Sequence, residues 1–195
     1  MSGQSCDRRH DGRVNLRSDR LLLRMWDPTD DDDVAAAFDI YRRDEVSRWL
    51  GANPAPWESL EQTRERLDQW LGVSFESPGF GLWAITLGRN QPPIGTILLD
   101  HLPDAQGEDT EDVEVGWHLH PDAWGNGYAT EAAQKILEHA WEIDVTEVNA
   151  LAYPGNDRSV AVMERLGMER QGTTSKWYGV ELEWWLVGAP LPSAA

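Results

Sequence analysis

The chain of 195 residues carries 34 acidic side chains against 17 Lys and Arg, a formal charge of -17, and a single cysteine. That length fits one domain whose core needs no disulfide or metal staple, while the lone Cys6 excludes an intrachain disulfide and suits a reducing cytoplasm. The acidic balance argues against nucleic acid and anionic membranes as partners, and no run of 18 apolar residues is present to cross a bilayer.

Residues 1–13 are polar, aperiodic and without the apolar core of a signal, and read as a tail. Three consecutive leucines within 20–25 predict a buried first strand, with a turn at 27–30. The aspartates of 30–33 stand where carboxylates favour a helix start, before Val34, Ala37, Phe38 and Tyr41. They read as a cap and a solvated face, since the spacing of a metal loop is lacking. Asn-Pro-Ala-Pro at 53–56 breaks the chain, and Ser59 with Gln62 forms a capping-box pattern opening a second helix toward Leu71. Two strands follow at 81–87 and 94–100, then an acidic loop at 101–112.

Val113, Val115, Trp117 and Leu119 fall at every second residue, the period of a strand with one buried face. After Pro121 the period changes: Ala129, Ala132, Ala133, Ile136, Leu137, Ala140 and Trp141 recur at three and four, the stripe of a helix on a sheet. Between them, Trp-Gly-Asn-Gly-Tyr-Ala at 124–129 has two glycines that let the backbone turn tightly and present N–H groups at the helix start, an anion site. Without the Lys of a nucleotide triphosphate loop, a cofactor pyrophosphate is the occupant that fits. A strand at 147–153 precedes Asn156, the N-cap of a helix that runs to Leu166 and stops at Gly167. Segments 168–177 and 180–187 close the chain as an antiparallel pair, with a frayed end after them. The pattern is one mixed α/β sheet domain with helices on both faces.

Strand, glycine loop and helix in this order, reading EVGWHLHPDAWGNGYATEA, resemble the acetyl-coenzyme A binding core of the GNAT superfamily of N-acetyltransferases, and most of all its RimJ/RimL-like subgroup. A second block, PGNDRS at 154–159 followed by Val160, Met163, Glu164, Arg165, Leu166 and Gly167, is similar to that subgroup's Asn-x-x-Ser helix. The resemblance covers 15–187. It implies a GNAT domain over 15–188 between tails at 1–14 and 189–195, built on a mostly antiparallel sheet of about seven strands. A parallel pair splays in that sheet to admit the cofactor.

The resemblance further implies an enzyme that moves the acetyl group of acetyl-CoA to a primary amine by direct attack in a ternary complex, with no metal. The backbone of Trp117, His118 and Leu119 would pair with the pantetheine arm, and an N–H near Leu119 would polarise the thioester carbonyl. Trp124, Gly125, Asn126, Gly127, Tyr128, Ala129 and Thr130 would wrap the pyrophosphate. Glu114 is the candidate base, directly or through water; as a strand residue among valines it equally suits a solvent-facing position, and if it is the base, burial should raise its pKa. Asn156 would bond the pantetheine arm besides capping its helix. Ser159 is the candidate acid toward the leaving sulfur, or a first-turn serine bonded to Asn156.

Two departures from the family stand out. Met163 occupies the place of a tyrosine acid and cannot donate a proton, which leaves Ser159, Tyr178, water or no acid. Trp124 and Asn126 replace polar or basic residues, so phosphate binding leans on backbone amides, with Arg158 or Arg165 as compensating cations or plain surface residues. His118 and His120 lack a third ligand for zinc; a histidine base is a minor alternative to Glu114. Trp49, Trp57 and Trp70 lie where the family builds its acceptor pocket, with Trp70 favoured as core.

The acceptor stays open among peptide N-termini, polyamines, antibiotics and amino acids, the acid surface favouring a cationic one. A homodimer is a weak expectation. Two other classes compete: a non-catalytic domain that binds and senses acetyl-CoA, kept alive by Met163, and a nucleotide phosphotransferase using Gly125 and Gly127, which lacks the Lys-Ser/Thr it requires.

Overall fold

The computed structural model describes residues 14–190 and the backbone of residues 7 and 8. Cys6 and most of the two expected tails lie outside the described residues. Nine strands form one sheet among these residues: β1 (Asp7–Arg8), β2 (Val14–Arg17), β3 (Leu22–Met25), β4 (Gly81–Thr86), β5 (Gly95–Pro103), β6 (Asp109–Leu119), β7 (Glu147–Ala152), β8 (Glu169–Thr174) and β9 (Leu182–Gly188). Their order is β1-β2-β3-β4-β5-β6-β7-β9-β8, antiparallel except for β6 beside β7. Helices α1 (Asp31–Tyr41), the short α2 (Asp44–Ser47), α3 (Leu60–Glu76), α4 (Tyr128–Glu142) and α5 (Asp157–Arg165) cover both faces.

Each face has its own core. The stripe Ala132, Ala133, Ile136, Leu137 and Ala140 of α4 packs with Met163 of α5 on Leu23, Trp83, Ile85, Ile97, Leu99 and Val115. On the other face Val34, Ala37, Ile40 and Tyr41 of α1 and Leu67 of α3 close over Trp26 and Ala84. β4 is buried at all six positions because both layers press on it. Helix starts follow the cap chemistry: Asp30 accepts from Asp32 N–H, Ser59 from Gln62 N–H, and Asn156 from Ser159 N–H.

Four expectations change. The single strand at 20–25 is the second arm of a hairpin, β2 and β3, turned by Ser18, whose hydroxyl accepts from Leu21 N–H. The loop at 101–112 is mostly strand: β5 runs to Pro103 and β6 starts at Asp109, with Asp109 and Glu111 exposed, while the Asp104 carboxylate takes the N–H groups of Gln106 and Glu108 to close the turn. Asp33 is not solvated; it is 1% exposed, grips the Arg24 guanidinium by two bonds of 2.6 Å and takes Asp27 N–H. Finally, the 113–119 stretch is covered on both faces, because α1 and the segment after α2 lie over the side that alternation assigns to solvent.

Candidate active site

The site begins where the sheet opens. β6 and β7 are in register at one pair, Glu114 with Asn149, and then diverge. Asn149, 5% exposed, stands at the fork: its Nδ2 donates to Val113 O on β6 at 2.9 Å, and its Oδ1 accepts from Trp184 Nε1 on β9 at 2.8 Å. Beyond it, His120 N–H bonds Ile94 O beside β5, so strand alternation turns the backbone groups of Val115, Trp117 and Leu119 toward the gap. At the far end Leu119 O accepts from Trp124 Nε1 at 2.9 Å.

A cleft of about 170 Å³ lies at this fork, lined among others by Glu114, Trp117, His118, Asn156, Ser159 and Tyr178. Glu114 is 8% exposed, so the solvent-facing alternative falls. Burial pushes its carboxyl up to about 7, the hydrogen bond from Tyr178 works the other way, and Asp100, its cross-strand partner, adds repulsion. The Tyr178 hydroxyl donates directly to Glu114 Oε1. The chain bends sharply to place it: Tyr178 has φ 59° and Gly179 φ 66°. Lys176 Nζ and Trp177 Nε1 bond the Asp112 carboxylate at 2.6 and 3.0 Å, and Tyr178 N–H bonds Pro103 O, fastening this loop to the β5–β6 hairpin.

His118 lies on the same strand face as Glu114. Its Nδ1 is 3.2 Å from the Tyr41 hydroxyl, which contacts Thr96 Oγ1 at 2.6 Å, and Thr96 also receives Trp26 Nε1. Burial lowers the imidazole to about 4. Burial disfavours the charged imidazolium and so weakens His118 as a proton acceptor. His120 is tied to Asp39 at 3.1 Å, outside β6. Across the gap Asn156 and Ser159 line the cleft from the start of α5, whereas Met163 is 1% exposed in the core. Trp49 lines the cleft; Trp57 and Trp70 pack on Tyr41 with the second core. Tyr153 OH donates to Gly51 O at 2.8 Å, joining the end of β7 to the loop after α2.

The glycine loop meets the start of α4. Gly125 and Gly127 have φ 77° and 78°, a region that glycine adopts without strain, and space is open where a Cβ of Gly125 would sit. Gly127 is the N-cap and gives no side-chain cap; the first helical bond is Glu131 N–H to Gly127 O, so the N–H groups of Tyr128, Ala129 and Thr130 precede the helical ladder. The Trp124 indole fastens the loop to β6, and Asn126 Nδ2 donates back to Ala123 O and Trp124 O; both side chains shape the loop. Arg158 stacks over the Trp124 ring at 4.1 Å, placing a cation beside the loop.

Sequence reasoning missed Arg20, Asn149 and the hydroxyl network behind His118. Arg20 reaches the loop across 106 residues of chain and Asn149 reaches β6 across 36, distances at which no local pattern signals a contact.

The model of a family described as acetyltransferase (GNAT) domain matches residues 20–169. The chain is 26% identical over 163 residues to the uncharacterized N-acetyltransferase YoaA of Bacillus subtilis, covering 83% of this chain and 86% of YoaA. Among solved structures, an acetyltransferase from Agrobacterium tumefaciens matches with a TM-score of 0.71 at 26% identity, over 90% of this chain and 94% of that one. RimL, a ribosomal alpha-N-protein acetyltransferase in complex with coenzyme A, matches with a TM-score of 0.69 at 16% identity, over 89% and 97%. The RimL likeness is one of fold.

Proposed function

Because the chain belongs to the GNAT family of N-acetyltransferases, we propose that its cleft moves the acetyl group of acetyl-CoA to a primary amine by direct attack in a ternary complex. The observation that carries this reading is the meeting, around one cleft, of buried Glu114 from β6 with Asn156 and Ser159 from α5. The residues present fit acetyl-CoA. Backbone groups of Val115 and Trp117 turned into the gap suit the amides of a pantetheine arm, and the uncapped start of α4, with room at Gly125, suits a pyrophosphate.

When bound, acetyl-CoA supplies the acyl thioester, so that a nitrogen–carbon bond forms as the carbon–sulfur bond breaks. Glu114, near half-ionised at pH 7, takes the amine proton directly or through water. Ser159 gives a proton to the sulfur side; Tyr178 is committed to Glu114 and serves to hold the base. A buried carboxylate with Asp100 behind it, in a protein of charge -17, favours a cationic amine or peptide N-terminus.

The test is thiol release from acetyl-CoA with a panel of polyamines and basic or neutral peptide N-termini. Glu114→Gln and Ser159→Ala should each lower kcat by roughly 10²-fold or more while acetyl-CoA still binds. Unchanged turnover in both variants would refute the assignment. Tight acetyl-CoA binding without turnover on any amine would point to the sensing domain instead.

A further inference from the structure

Arg20 lies in the β2–β3 hairpin, outside every block that points to acetyl-CoA, yet its side chain ends in the glycine loop. Its Nε donates to Glu131 Oε2 at 2.6 Å, its Nη1 donates to Asn126 O at 3.0 Å, its guanidinium lies over the Tyr128 ring at 4.8 Å, and Nη2 would stand 3.5 Å from a Cβ on Gly127. Its backbone N–H and the Ser18 hydroxyl take the other oxygen, Glu131 Oε1, at 2.8 and 2.7 Å. Glu131 sits in the first turn of α4, beside the N–H groups offered to an anion. Alone, that carboxylate would repel a phosphate and compete for the same donors.

We propose that Arg20 is a positioning residue for the anion loop, neutralising Glu131 and drawing the Asn126 carbonyl outward so that the loop and first-turn N–H groups face the cofactor phosphates. The inference rests on the acetyl-CoA reading above. Two features support a role beyond fold stability. The guanidinium is half exposed, so little apolar burial depends on it, and its three partners, Asn126, Tyr128 and Glu131, all belong to the anion loop and the first turn of α4. Burial raises the Glu131 carboxyl, but the hydrogen bonds from Ser18 and Arg20 outweigh it and leave the group below its ordinary value, which favours the charged form that Arg20 offsets.

The experiment is calorimetric binding of acetyl-CoA to the full chain and four variants, with amide hydrogen exchange of 125–130 in the ligand-free proteins. Arg20→Ala should weaken binding roughly 10- to 100-fold, as the loss of charge-assisted bonds implies, and speed exchange across the loop. Its kcat at saturating cofactor should change by less than about threefold, the effect falling on KM for acetyl-CoA. Arg20→Lys, which keeps the charge and loses the fork, should fall between. Glu131→Gln combined with Arg20→Ala should bind more tightly than Arg20→Ala alone, since the unpaired carboxylate is gone, and Glu131→Gln alone should bind at least as well as wild type. Wild-type binding with an unchanged Arg20→Ala affinity, or a double variant weaker than Arg20→Ala, overturns this role and leaves the acetyl-CoA reading standing. No binding by the wild type overturns both.

Discussion

Replacing Glu114 by glutamine should make the protein more stable and nearly inactive, with both effects set by pH. In the folded protein this carboxyl titrates at about 7 against an ordinary value of 4.5, chiefly because it is buried. Between those values the folded state holds a proton that the unfolded chain has released, so stability falls as pH rises through the window and levels off above it. The interval of about 2.5 pH units at 1.36 kcal/mol each is roughly 3 kcal/mol of native-state penalty above pH 7. Glutamine is neutral throughout, matches the shape and can still accept from Tyr178, and the charge assistance that bond gives the carboxylate is already contained in the value of about 7. The variant should therefore equal wild type near pH 4.5 and exceed it by roughly 3 kcal/mol at pH 8. Urea unfolding of both proteins at pH 5, 6.5 and 8 measures the difference, in which all other titrating groups cancel. Wild-type kcat/KM should rise with pH to a plateau above 7 while the variant stays flat and low. Equal stabilities at pH 8, or a difference that shrinks as pH rises, would refute the buried-base argument.

Tyr178→Phe removes a hydrogen bond that favours ionised Glu114, so the acid limb of kcat/KM should move to higher pH, with activity lost at pH 7 and regained near pH 9; an unmoved limb would show that the phenol does not tune the base. Asn149→Leu leaves Val113 O and the Trp184 indole without their partner, and unfolding should show a loss of roughly 2–5 kcal/mol from two stranded buried groups. Asp33→Asn breaks the two-bond pair with Arg24 beneath α1, a pair only one side of which is fully buried, and should cost about 2–3 kcal/mol by the same measurement.

What the sequence reveals of this site is what local chemistry encodes. The stripe of α4, the caps at Ser59 and Asn156 and the left-handed pair Gly125 and Gly127 can be read directly, because spacing, capping side chains and missing Cβ atoms act within a few residues. The rise of the Glu114 pKa follows once burial is supposed, but burial itself is not written in the alternation of β6. It comes from Tyr41, Trp49 and Leu50 far upstream and from Tyr178 downstream, which cover the face that a lone strand would give to water. The apparent acidic loop at 101–112 fails for a related reason: charged residues on the outer side of a hairpin carry the composition of a loop and the geometry of a strand. Asp33 misleads in turn because an aspartate in a first turn looks like a helix-dipole partner until Arg24 on a neighbouring strand claims it.

The gap between β6 and β7 is held open by side chains that stand in for the missing ladder. Asn149 takes Val113 O at one end and Trp124 takes Leu119 O at the other, so both ends of the open edge of β6 are satisfied within the protein. Between them Val115 and Trp117, with the N–H of Leu119, turn backbone groups to the gap, about four residues or 13 Å of strand. An open edge that short is a poor template for another strand, which needs a longer run of free groups, yet it is long enough for the paired amides of an extended arm. The same stitches set the direction of the site. Trp124 anchors the glycine loop at the Leu119 end, Arg20 holds that loop from outside, and Glu114 lies next to the Asn149 end. In the proposed reaction, an anion bound at α4 and a base at the fork would therefore mark opposite ends of one gap, with the acyl group delivered between them. Negative charge elsewhere on the surface does not defeat this arrangement, because Arg20 and Arg158 flank the loop while the first-turn carboxylate of α4, Glu131, is already paired.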